Sequence, residues 1–350
     1  MVLERLFPED WLERKFIFAF ILGFVYSVIG IIIAKILFPA NSGIVSVIFT
    51  SIFLTPSMRK IFSKEEASEE KSKKFSMKRL YKLDYDVVFM YFLIFFGIFL
   101  AYLLFSFLMP QLGVSTFNIL KEQFFLDSSL RGRASFDSSS FLSIFYNNWW
   151  ILLATFMLAL IAGDGAIFFV AWNASAWGAI FGIRALQASL YTGQDAFIVL
   201  FQLLAIVVWH MTLEGGAYIL AGIAGSTISS KIIKEKLEIE EFVIWLIAAV
   251  FVFLVGKYII GMMFLGVMAK FALYFLLMLG LLHFLGNIVA EKKNRQVYTY
   301  NLALFIIAIA VFMLGVLVEV YVLSNSDALH RIYQFSSCYT YNIPFGKCGF

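Results

Sequence analysis

The chain predicts an all-α, polytopic bundle of transmembrane helices with about seven to nine spans. Three observations carry this. Of 350 residues, 62% are hydrophobic and 14% are charged, which excludes an ordinary soluble domain of this size. Apolar stretches recur at the length of a bilayer crossing, about 20 residues at 1.5 Å each. Lys and Arg gather in alternate connectors. Segments 1–15, 59–82, 231–236 and 292–295 hold 18 of the 27 basic residues, whereas the long loop and the tail on the other side hold only Lys121, Arg131, Arg133, Arg331 and Lys347. By the positive-inside rule the N-terminus is cytoplasmic and the C-terminus extracytoplasmic, in the plasma membrane.

Taken in order, 16–38 is a first span and Pro39-Ala40-Asn41-Ser42-Gly43 a turn. Segment 44–62 returns, with Pro56 expected to kink or end it. The stretch 63–86 carries Lys-Glu-Glu-Ala-Ser-Glu-Glu-Lys-Ser-Lys-Lys. It is expected as a solvated, partly disordered cytoplasmic loop, or a basic surface against anionic lipid. Segment 87–109 is a third span, so 1–110 forms an N-terminal three-span region, and 111–146 an extracytoplasmic loop. The apolar stretch 147–183 is too long for one straight span and is broken at Gly163-Asp164-Gly165. It is either two short spans or a re-entrant hairpin. A polar connector is expected at 184–195, and a central helix from 196 to about 230. Segments 242–260 and 271–289 read as two more spans, and 302–323 as the last, followed by a polar, aromatic tail. The first 15 residues lack the short apolar core of a cleaved signal peptide. Cys338 and Cys348 both lie in that tail, where a disulfide can persist if the tail is outside the cell. Two unpaired thiols are the other reading.

The central helix holds the chemistry. His210 and Glu214 are four residues apart and share a helix face. A charge at membrane depth costs roughly 2.5–3.5 kcal/mol on insertion scales, so the pair must be partnered, neutral or wet. Gly215, Gly216, Gly222 and Gly225 crowd the same helix, and Ala217, Ala221 and Gly225 form a small-xxx-small ladder that admits a second backbone. Gly178 and Gly182 form a GxxxG face, and Gly163 and Gly165 flank Asp164. If 147–183 is a hairpin, its tip can bring Asp164 to His210 and Glu214 near the midplane. Such a cluster is either a structural register device or a proton, cation or metal site. Glu319 is a further candidate for this polar cluster, though about five residues from the end of its span it can also simply reach the interface. Asn173 is counted with the cluster too; it belongs to a glycosylation-type triplet, Asn173-Ala174-Ser175, in an apolar segment where an acceptor loop is not expected. His283 reads as a packing residue. No zincin H-E-x-x-H, Walker A loop, G-x-S-x-G elbow or redox C-x-x-C occurs, so neither a metal nor another cofactor is expected, and an intramembrane enzyme ranks last.

Asn147-Asn148, Gly163-Asp164-Gly165-Ala166-Ile167-Phe168, Trp172 through Gly178, and His210-x-x-x-Glu214 followed by Ala217 through Gly225 resemble the stage II sporulation protein M family. Phe7-Pro8-Glu9-Asp10 and Glu319-Val320-Tyr321-Val322 are similar to its archaeal branch. The resemblance runs in order along most of the chain, with its core at 147–350. The chain departs from the family in having Trp209 and Met211 around the histidine and a longer apolar hairpin at 242–289. The resemblance implies a non-enzymatic membrane scaffold. The founding bacterial member recruits peptidoglycan-degrading partners to the septal membrane during engulfment, a role that cannot be copied onto an archaeal relative without that wall. What carries over is an anchor for envelope or division proteins, using the bilayer and membrane proteins as partners and no nucleic acid, with homo-oligomerisation left open. The alternative is an ion- or proton-coupled channel or transporter built on Asp164, His210 and Glu214.

Overall fold

The computed structural model describes residues 17–70, 77–109, 138–163, 166–229, 292–344 and 348, with scattered positions between 247 and 280. The described residues form eight α-helices and no strand: α1 (Ile17–Leu37), α2 (Ser42–Glu70), α3 (Met77–Leu108), α4 (Ser138–Ala162), α5 (Ala166–Thr192), α6 (Ala196–Ile228), α7 (Lys292–Asn325) and α8 (Asp327–Thr340). Five portions are long and apolar enough to cross a membrane: Ile17–Leu37, Tyr85–Leu108, Ile167–Thr192, Ala196–Ile228 and Tyr298–Asn325. Two shorter apolar stretches, Ser42–Met58 and Asn148–Leu160, pack among them. The expected spans at 242–260 and 271–289 lie largely outside the described residues, as do the 111–137 part of the long loop, Asp164 and Gly165.

Several expected boundaries move, each for a local reason. Pro56 sits inside α2, which continues to Glu70. The charged stretch after it is therefore helical up to that residue rather than a loop, in keeping with the helix propensity of its Glu, Lys and Ala. The helix α5 runs through Arg184 to Thr192, so the expected connector shrinks to Gly193-Gln194-Asp195. Arg184 does not end the helix because it is buried and partnered: its guanidinium donates to Ser336 Oγ at 3.2 Å and Ser337 Oγ at 3.4 Å, and lies 5.4 Å from the Tyr333 ring centre. Gly193 takes φ +73°, a conformation that favours glycine and stops α5. Asp195 then caps α6, its carboxylate accepting from Phe197 N and Ile198 N at 3.0 Å each. The tail folds back as α8, capped by Ser326, whose Oγ accepts from Leu329 N at 3.2 Å. Its inner face of Leu329, Ile332, Ser336 and Cys338 is buried. Cys338 and Cys348 form a disulfide.

The stretch 147–183 is two long helices, not two short spans. Helix α4 ends at Ala162, Gly163 follows with φ +63°, and α5 begins at Ala166. Glycines set how closely the helices meet. A Cβ on Gly178 or Gly182 would strike backbone oxygens of α3, those of Phe99 and Leu103 respectively. Gly23 and Gly97 bring α1 and α3 into the same kind of backbone contact. The helix α6 runs antiparallel to α3, since Phe107 meets Phe197 at one end while Phe95 faces Gly215 further along. It runs parallel to α4, since Asn148 meets Glu214 and Gly163 meets Ser226. The helix α7 is antiparallel to α4, with Phe156 stacked on Phe305 at 3.9 Å and Phe145 against Phe312 at 5.4 Å. Helices α4, α6 and α7 thus pack together around the middle of α6.

Candidate functional site

An apolar helix with one ionisable stripe must bury that stripe against other polar groups, and α6 does so. His210, Glu214 and Tyr218 follow one another at four-residue steps along one side. Glu214 is 2% exposed and Tyr218 1%. Helix α7 presents Glu319 to the same place, and one turn earlier it presents Gly315. A Cβ at Gly315 would come within 2.9 Å of Glu214 Cγ, so the bare backbone is what seats the glutamate side chain. Helix α4 supplies Asn148, whose Nδ2 donates to Glu214 Oε1 at 3.0 Å and to Glu319 Oε2 at 3.2 Å. One amide thus bridges two carboxyls from two helices.

The shared amide holds the two carboxyls close together in an apolar interior, where two like charges repel and one proton between them relieves the repulsion. His210 lies close enough to feel the Glu319 charge, and its Nδ1 is buried without a hydrogen-bond partner. The Tyr218 hydroxyl is buried, unpartnered, and within electrostatic reach of both Glu214 and Glu319. The surrounding wall is aromatic. Phe95 and Phe92 of α3 close over Gly215 and Gly216, Trp177 of α5 lies 6.5 Å from the Tyr218 ring, and Trp149 packs 6.0 Å from Phe312. Among the described residues, no group of three or more His, Cys, Asp or Glu side chains is arranged to hold a metal ion.

Of the predicted polar cluster, Glu214 and Glu319 come together on the Asn148 amide, so of the two readings of Glu319 the structure favours the cluster over the interface. Asp164 lies outside the described residues, but its neighbour Gly163 accepts from Ser226 Oγ at 2.8 Å. Ser226 is twelve residues past Glu214, about 18 Å along the helix. Gly163, at the end of α4, thus meets the far end of α6. Asn173 is buried and donates to Phe169 O of its own helix at 2.8 Å, apart from the cluster. A Cβ on Gly225 would come within 2.6 Å of Ala159 Cβ and Phe156 O, so this glycine sets the α4–α6 contact, while Gly222 is buried in α6. Asn148 and Gly315 are the site residues that sequence reasoning passed over. An amide opening an apolar run and a glycine four residues before Glu319 were the available signals.

Residues 88–259 match the model of a family described as Stage II sporulation protein M. The match includes Asn148, His210 and Glu214 and stops before Glu319, so it is narrower than the resemblance read along most of the chain. No curated protein and no solved structure matches the chain.

Proposed function

We infer, with the membership of residues 88–259 in the stage II sporulation protein M family as the premise, that this chain is a non-enzymatic membrane scaffold or anchor for envelope or division proteins. The family match is the observation that carries the reading. The accompanying topology has seven spans, or nine if 230–291 crosses twice, with the N-terminus in the cytoplasm; the gathering of Lys and Arg in 59–82, 231–236 and 292–295 supports it. The N-terminus is then inside and α8 with its disulfide outside, where an oxidised cysteine pair persists. The similarity of Glu319-Val320-Tyr321-Val322 to the archaeal branch supports an archaeal setting. Partners bind through the 111–146 loop or the tail outside, or through the 63–86 segment inside.

The test is cross-linking and copurification from native membranes at native expression, comparing the full chain with versions shortened in 111–137 or in 71–76. A partner captured by the full chain and lost from one shortened version supports the scaffold. Identical, partner-free recovery of all three overturns it.

A further inference from the structure

We propose that Asn148, Glu214 and Glu319, with the Tyr218 hydroxyl, form an intramembrane exchange site that takes one sodium-sized monovalent cation in place of the proton shared by its carboxyls. The site is independent of the scaffold reading, which concerns surfaces elsewhere on the chain.

Four features of the geometry carry this. The carboxyls come from different helices, α6 and α7, and are tied together by one amide on α4. Held together by that amide in an apolar interior, they do not both stay charged at low cost, so one exchangeable proton is held between them. The Tyr218 hydroxyl is 1% exposed, has no partner, and senses both carboxyls. Gly315 gives up its side chain to make room for Glu214. A purely structural carboxyl–amide pair explains the first two but leaves a buried phenol and a buried imidazole nitrogen idle. Each idle polar atom is costly in an apolar interior.

The donor chemistry selects the ligand. Two carboxyls, a phenol oxygen and the Asn148 side-chain carbonyl, once the amide turns, are hard oxygen donors that suit a hard cation. Calcium asks for six to eight oxygens and magnesium keeps several waters, more than this dry, aromatic-walled site supplies. Replacing the shared proton by one monovalent cation leaves the buried charge unchanged: the cation enters, and the proton leaves to solvent. The groups that face the site are His210 and Tyr218 on α6, Glu319 on α7 and Asn148 on α4. Helices α3 and α5 present the apolar Phe92, Phe95 and Trp177. On α8, Tyr333 lies within electrostatic reach of Glu319 and carries Arg184 5.4 Å from its ring centre.

The experiment uses the purified full chain in detergent with a pH-sensitive dye, at weak buffering, from about pH 6 to 9. NaCl is added against choline chloride at equal ionic strength. Sodium should release about one proton per chain and raise the melting temperature, with choline giving about tenfold less release. Glu319→Gln should abolish both responses, because its amide donates to Glu214 without an exchangeable proton; circular dichroism and gel filtration confirm its fold. If that variant does not fold, Tyr218→Phe takes its place and should weaken the sodium response severalfold. No release beyond choline, or a sodium response unchanged in the variant used, overturns the proposal. A response to CaCl2 but not to NaCl overturns the monovalent assignment.

Discussion

Two regions of the bundle use glycine for opposite purposes. Where α3 meets α1 and α5, Gly23, Gly97, Gly178 and Gly182 let main chain touch main chain. Where α7 meets α6, Gly315 makes room for a carboxyl beside the hydrogen-bonded cluster of Asn148, Glu214 and Glu319. In lipid, apolar side chains gain little by leaving one apolar medium for another. Helices therefore adhere by close packing or by polar bonds, and this chain uses each in a different region. The difference teaches that small-residue spacing marks a contact without revealing its chemistry.

The comparison breaks most sharply where backbone meets backbone. Gly178→Leu pushes a branched side chain into Phe99 O and Tyr102 Cβ, with no flexible group to give way. Overpacking costs about 1–3 kcal/mol and more when only backbone can move, so the variant should lose its cooperative melt in detergent. On the polar side, Glu319→Ala leaves Glu214 and the Asn148 amide short of a buried partner. The expected loss is about 1–3 kcal/mol, whereas Glu214→Gln, which keeps the shape and a donor, should lose under half as much. Thermal unfolding of the three variants side by side checks that order.

Smaller effects are expected where α8 covers the end of α5. Arg184→Ala removes the donor to Ser336 and Ser337 and the cation beside Tyr333. It should loosen α8 by about 1–2 kcal/mol while leaving the α6 cluster intact, read as faster amide exchange confined to 327–340. The Tyr333 phenol, pushed up to about 12 by burial and partly offset by Arg184, adds a pH signature. Its folded value lies above the ordinary value of about 10, so its stabilisation is complete below about pH 10 and disappears as pH rises through about 12. Docking of α8 should therefore weaken over that window, and tyrosinate absorbance should rise with α8 exchange. Tyr333→Phe should remove the effect. The smallest change is reduction of Cys338–Cys348, which closes a loop with a sequence separation of 10. It should increase exchange near Thr340 without shifting the main melt.

Much of this architecture was legible in residue order. Apolar runs at bilayer length and the turn at Pro39-Ala40-Asn41-Ser42-Gly43 are local features, and local chemistry dictates them. The His210–Glu214 spacing and the Gly178–Gly182 face were legible for the same reason, since helix geometry turns sequence distance into a shared side. Arg184 misled because a charge usually ends an apolar segment, and its partners, Tyr333, Ser336 and Ser337, lie about 150 residues away. Glu319 left two readings open: counted from its own helix end it looked interfacial, yet α7 meets α6 at Gly315 and brings it to the amide that also holds Glu214. Composition and periodicity by themselves determined a helical membrane protein and the length of α6. Only the tertiary structure decided which polar groups meet. A buried carboxyl takes the nearest partner in space, and helix crossing points are set by close packing between segments that the chain holds far apart.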